Sequence, residues 1–190
     1  MCFANATSTP ASGVAQNFTN PVTYTAGGVS YTVTLTVAEP DFLGSGTQDD
    51  PYKVSSAELL LKLSTEYNKD PAAFAGKYWK QTTEIDMTGV KFTPIGVSTA
   101  FSGTYDGDNF AIKNLKITSA ADNVGLFGVI GNGATIKNVV LDSTCEINAA
   151  APRCNVGGIA GQMNATGTNT IVDCVNRAAV TAVSYTHLTL

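Results

Sequence analysis

The chain has 190 residues, a net charge of −4 and a pI near 4.8, a balance that excludes a basic nucleic-acid module. Charged residues are only 14% and hydrophobic ones 44%, so there is enough apolar material for a core but little of the charge that covers ordinary surface helices. Polarity comes instead from 25 Thr, 18 Gly and 14 Asn, a mixture suited to strands and turns. No apolar run approaches the roughly 18 residues of a membrane span. Met1 to Pro10 shows neither the basic nor the apolar stretch of a signal peptide.

From Pro21 to Val37, Thr alternates with Val, Tyr or Leu on both sides of Gly27-Gly28. Alternation with a Gly-Gly break predicts a β-hairpin. Two strands bury no core alone, so residues 1–37 are expected to be the closing strands of a truncated sandwich domain, with Met1 an internal or chance start. Residues 38–41 read as a linker, because Pro40 cannot continue a strand.

Gly44 to Tyr52 is rich in turn residues, and a helix follows. Ser55 and Glu58 have capping-box spacing, which predicts a helix from Ser55 to about Tyr67, ended by Asn68 to Pro71. It is the one helix expected, and it should cover an open sheet edge. From Lys77 onward the pattern is short strands and turns. Tyr78 to Ile85 reads as one strand.

The phrases then recur. Ile112-Lys113-Asn114-Leu115 is answered 24 residues later by Ile136-Lys137-Asn138-Val139, and more loosely by Ile171-Val172-Asp173-Cys174. Val124 to Gly128 is answered by Val156 to Gly161. A helix-free unit of this size predicts stacked β-coils. On this spacing Ile112, Ile136 and Ile171 form one core column, and Leu115, Val139 and Cys174 another. Asn114, Asn138 and Asp173 form a polar turn ladder. Lys113 lies above Lys137 as a solvated edge or a weak anion contact, and Gly128 and Gly161 mark sharp bends.

Residues capable of chemistry are sparse. Cys2, Cys145, Cys154 and Cys174 contain no C-x-x-C and have no nearby histidine, so a zinc site is not expected. Free thiols and a Cys145–Cys154 bridge both remain open. The one histidine, His187, lies in Val183 to Leu190. The codons GTC TCT TAT ACA CAT CTG ACG CTG of a sequencing-library adapter encode that string, so the natural protein is expected to run to about Ala182. A genuine final strand is the alternative, since the string also alternates. Asp106-Gly107-Asp108-Asn109 and Asp49-Asp50 read as turns, with calcium as the sharper reading for the former. Asn5, Asn17 and Asn164 begin glycosylation sequons by letter alone. Tyr78, Trp79, Phe92, Phe101, Tyr105 and Phe110 cluster ahead of the first repeat and are expected to plug the end of the stack. Gly44-Ser45-Gly46-Thr47 lacks the lysine of a phosphate loop. We assign no catalytic, cofactor-binding or metal-ligating residue.

Two resemblances follow from these residues. Ser12 to Val37 resembles the closing strands of Ig-like repeats in bacterial surface proteins. Asn155 to Gln162, continued through Ile171 to Val180, resembles the GLUG motif. Gly44 to Tyr52, Glu84 to Asp86, Pro94 to Gly96, Phe101 to Gly107, Ile112 to Leu115 and Gly125 to Gly128 resemble the coil that precedes that motif. The insert from Ser143 to Cys154 departs from its usual spacing. The resemblance implies a right-handed parallel β-helix at residues 42–182, incomplete at its C-terminus, on a secreted bacterial protein. It implies a non-catalytic stalk or adhesion segment facing host proteins or glycans, with further repeats or domains on both sides. The alternatives are the flank of a large secreted metalloprotease and a β-helix glycan-cleaving enzyme. The latter needs an acidic cluster on one outer face.

Overall fold

The computed structural model describes residues 22–26, 29–33, 41–151 and 154–182. The expectations for residues 1–21, for Gly27-Gly28, for 34–40 at the end of the hairpin and in the linker, and for the tail at 183–190 with His187 fall outside them. The chain divides into two compact units, Met1–Glu39 and Pro40–Leu190. In the first, β1 (Val22–Ala26) pairs antiparallel with β2 (Val29–Val33), Tyr24 opposite Tyr31. This is the hairpin that the alternation around Gly27-Gly28 predicts.

The second unit is a parallel β-solenoid of about four coils. Its first sheet contains β3 (Tyr52–Val54), β4 (Tyr78–Gln81), β6 (Thr104–Asp106), β11 (Thr135–Lys137) and β16 (Thr170–Val172). The second contains β5 (Ile85–Asp86), β7 (Ala111–Lys113), β12 (Val140–Leu141) and β17 (Val175–Asn176). The third contains β8 (Lys116–Ser119), β13 (Glu146–Ala149) and β18 (Ala179–Ala182). Two narrow sheets close the coil: β9 (Asn123–Val124) with β14 (Asn155–Val156), and β10 (Phe127–Ile130) with β15 (Ala160–Met163). In every sheet of this unit the strands are parallel, so each coil repeats the one before.

Stacking places like on like. Trp79, Tyr105, Ile136 and Ile171 form one inner column. Ile85, Ile112 and Leu141 form a second, and Ile117, Ile147 and Val180 a third. Strand alternation sends the residues between them outward.

The register differs from the one inferred from the 24-residue offset. Ile136 stacks on Ile171 and Val139 pairs with the Cys174 level, as expected. Ile112 and Leu115 belong to a different corner: Ile112 stacks on Leu141, and Leu115 lies below Cys145, one residue before the Lys116–Glu146 pair. The two I-K-N phrases are therefore different corners of successive coils: Asn114 follows β7 and leads to β8, whereas Asn138 follows β11 of the next coil and leads to β12. Both need an Asn that accepts a left-handed backbone, and Asn114 and Asn138 each have φ +54, a region that short amides tolerate. Two corners of the same shape look like two repeats in the sequence. The same shift separates Lys113 from Lys137.

Three smaller expectations also change. Gly128 and Gly161 lie within β10 and β15, not at bends. A Cβ on Gly161 would press on the backbone of Asn123 and Val124, so the glycine reflects close strand approach. The supposed insert from Ser143 contains β13, a regular strand whose Ile147 sits between Ile117 and Val180. The stretch from Tyr78 to Ile85 is two strands, β4 and β5.

Among the described residues a single helix, α1 (Ala57–Lys69), is present, and its N-cap is Ser56, whose hydroxyl accepts from Leu59 N. The capping box proposed for Ser55 is off by one residue, because Ser56 supplies the same oxygen. Helix α1 buries Leu59, Leu60, Leu63 and Tyr67. Its polar side chains tie down the loop that pairs with β10. Tyr67 OH donates to Ala100 O at 2.9 Å and accepts from Ser102 N at 3.1 Å. Asn68 donates to Pro94 O at 2.9 Å and accepts from Gly96 N and Val97 N. The helix thus caps the N-terminal end of the stack, as expected.

Candidate functional site

Lys113 and Lys137 were expected to stack as a solvated edge; instead, charges of alternating sign run up the stack. Lys80, Asp106 and Lys137 form one column. Asp86, Lys113, Asp142 and Arg177 form another, the last two following the Ile112–Leu141–Asn176 level. Lys137 Nζ lies 3.2 Å from Asp106 Oδ2, Lys113 Nζ 2.6 Å from Glu84 Oε1, and Lys116 Nζ 3.0 Å from Glu146 Oε1. Each pair joins neighbouring coils. Lys113 and Lys137 are not stacked on each other, and the Glu84 carboxylate raises the Lys113 pKa through its hydrogen bond.

The same carboxylates hold the corners. Asp86 Oδ1 accepts from Thr88 N, from Thr88 Oγ1 and from Asn114 Nδ2. Asp142 Oδ1 accepts from Thr144 N and Oγ1. Asp106 Oδ1 accepts from Asp108 N and from Asn138 Nδ2, both at 2.9 Å. All three carboxyls are held below their usual pKa. The Thr88 hydroxyl is the main cause at Asp86 and the Thr144 N–H at Asp142. At Asp106 partial burial pushes upward but is outweighed by Asn138, Asp108 N–H and Lys137. The Asp106–Asn109 phrase is thus a turn, with Asp108 paired to Lys80 at 3.2 Å. Among the described residues no group of three or more His, Cys, Asp or Glu is placed to hold a metal ion. The Asp49–Asp50 turn uses backbone: Asp50 O accepts from Ser45 N and Gly46 N.

Cys145, Cys154 and Cys174 are free thiols. Cys145 is fully buried and donates to Ile112 O at 3.2 Å, while Cys154 donates to Ala151 O. Burial raises the pKa of Cys145 and of Cys174, which leaves both poor nucleophiles. Cys174 is half-buried against the core.

The aromatic residues form one continuous cluster at the helix-capped end. Trp79, Phe92, Phe101 and Tyr105 are buried as expected, while Phe110 reaches the surface. Tyr105 OH donates to Gln81 Oε1 at 3.3 Å inside the core, and burial raises its pKa. The Trp79 indole N–H is buried without a partner, a condition that costs about 1–3 kcal/mol.

This cluster reaches the surface at a cavity of about 440 Å³ lined by Asp41, Phe42, Tyr52, Lys62, Glu66 and Phe74. The Tyr52 ring lies 5.6 Å from Phe42, 6.5 Å from Phe74 and 5.8 Å from Trp79. Lys62 Nζ is 3.1 Å from Asp41 Oδ1 and 5.5 Å from the Phe42 ring centre. Its hydrogen bond holds the Asp41 carboxyl below the usual range. Sequence reasoning did not single out Phe42 or Phe74. Nothing in the sequence marks them as partners, since the cavity gathers residues from four separated segments.

No protein-family model matches the chain. It is 34% identical over 136 residues to halomucin of Haloquadratum walsbyi, a match covering 66% of this chain and 1% of that protein. It is 28% identical over 126 residues to a protein of Evansella cellulosilytica named as a Gly-rich membrane protein, covering 62% of this chain and 14% of that one. The chain therefore spans only a small part of either relative. Among solved structures it resembles a Bacteroides ovatus chain named as an immunoglobulin A1 protease, with a TM-score of 0.52 and 22% identity, covering 76% of this chain and 46% of that one. That likeness concerns the fold: a parallel β-solenoid. Among the described residues no helix is long and apolar enough to cross a membrane.

Proposed function

We propose that this chain is a non-catalytic solenoid segment of a secreted bacterial surface protein of the GLUG-motif kind, acting as a stalk or adhesive module outside the cell. The observation that supports it best is the commitment of the outer-face acids. Asp86, Asp106 and Asp142 serve corners, and Glu84, Asp106 and Glu146 pair with lysines of neighbouring coils. An acid or base for glycan cleavage has to reach its substrate, whereas each of these carboxylates already holds a corner or a lysine of the stack. Rigid repetition suits a spacer. A relative whose name places it at a membrane supports the extracellular setting.

Ile171 and Val180 continue buried columns, yet both are 38% exposed. Incubation with plant and host polysaccharides tests the non-catalytic reading. No release of reducing or unsaturated ends is expected, and their appearance in proportion to protein would overturn it. The flank of a secreted metalloprotease is the second reading, favoured by the shared fold with the Bacteroides ovatus chain.

A further inference from the structure

We propose that the cavity at the helix-capped end binds a neutral pyranose sugar. The inference rests on the adhesive part of the reading above and gives it a ligand class.

The cavity is built rather than incidental. Its aromatic wall continues into fully buried rings, since Tyr52 and Phe74 pack on Trp79, which packs on Tyr67 and Phe101. The wall is therefore fixed by the core. Gly46 makes room for it: its φ is +72, and a Cβ there would collide with the Tyr52 ring. The volume lies in the lower part of the range of small-molecule sites, roughly 300–1,000 Å³. A second cavity among the described residues, beside Met87 and Asn114, is half that size and has no aromatic wall.

The rim selects the chemistry. Asp41 and Glu66 supply acceptors and Lys62 supplies donors. A free cation would meet the Lys62 ammonium, which already lies over the Phe42 ring. An anion would meet two carboxylates. A purely apolar ligand would strip water from three charged groups without replacing their hydrogen bonds. A pyranose satisfies all of these constraints. Its C–H face packs on an aromatic ring, its hydroxyls both donate and accept, and bonds to charged partners are the stronger kind. The ring planes are inclined at 43° and 67° to one another, so the rings form no flat track for an extended polysaccharide.

Saturation-transfer NMR on the whole chain tests this, with methyl glucopyranoside, methyl galactopyranoside, methyl mannopyranoside and N-acetylglucosamine as probes and sorbitol as the acyclic control. Transfer to the ring C–H protons of at least one pyranoside is expected, in the millimolar affinity range, with none to sorbitol. Glu66→Gln should weaken binding by ~10-fold, the scale of one charge-assisted hydrogen bond, and Phe74→Ala should abolish it. Should Phe74→Ala fail to fold, Asp41→Asn at the exposed rim takes its place and should weaken binding as Glu66→Gln does. Absence of transfer from all four sugars, or an affinity unchanged in both rim variants, would overturn the proposal. That outcome would leave the non-catalytic reading standing, while release of sugar ends from polysaccharide would remove that reading and leave this one.

Discussion

Ile171 stacks in register on Ile136, yet Ile136 is fully buried and Ile171 is 38% exposed. The two residues have the same strand position, the same inward direction and the same side chain. Among the described residues Ile136 has a coil on either side, Tyr105 and Ile171 being its neighbours, whereas Ile171 has one on a single side. This contrast isolates what stacking contributes to a solenoid.

Truncation should reveal the difference. Ile136→Ala opens a cavity between coils and should cost about 2–5 kcal/mol. Ile171→Ala removes atoms already half in water and should cost less than half as much, roughly in proportion to the apolar area lost. Urea unfolding of both variants measures this. Equal losses would mean that the last coil is covered in solution.

Asn138 has φ +54 and donates from Nδ2 to Asp106 Oδ1 at 2.9 Å, tying its corner to the coil below. Asn138→Ala loses that bond and keeps a Cβ in the left-handed region without the amide that makes the conformation tolerable, each effect worth about 1 kcal/mol. Asn138→Gly relieves the backbone and loses only the bond. The Ala variant should therefore melt lower than the Gly variant. The reverse order would show that the backbone conformation carries no strain here.

Acid should weaken the stack. Folding lowers the pKa of Asp86, Asp106 and Asp142, so their ionised forms favour the folded state. The stability they contribute is fully present above the ordinary carboxylate value of about 3.9 and is lost as pH falls through the lower folded values. Asp86→Asn with Asp142→Asn should make the acid limb of a melting-temperature profile shallower. An unchanged limb would place the acid sensitivity elsewhere. The raised pKa of Lys113 acts with the opposite sign. Its contribution is present below the ordinary lysine value and fades as pH rises through the higher folded one.

The architecture was legible in the sequence because a solenoid writes its coil into recurrent phrases, and because the hairpin and α1 carry strong local signals. Register was less legible. An I-K-N corner needs only an inward Ile, an outward Lys and an Asn tolerant of left-handed backbone, and two different corners on successive coils meet that need. Local chemistry fixed the shape of each corner without numbering it. The acids were missed for the same reason: Glu84, Asp106 and Glu146 lie opposite the lysines only once the coils are stacked correctly. The cavity was invisible because Phe42, Tyr52 and Phe74 meet only after α1 folds back over the first strands.

The account depends most directly on the coil register, and cross-linking tests it. Thr104 and Thr135 are paired neighbours on β6 and β11, within the Cα separation of roughly 4.4–6.8 Å that a disulfide spans. Thr104→Cys with Thr135→Cys should oxidise to a single bridge, mapped by mass spectrometry of the unreduced peptides. Lys113→Cys with Lys137→Cys, the pair that a 24-residue coil would stack, should stay reduced under the same conditions. Efficient bridging of Lys113→Cys to Lys137→Cys, without bridging of the threonine pair, would contradict the register and the alternating charge columns built on it.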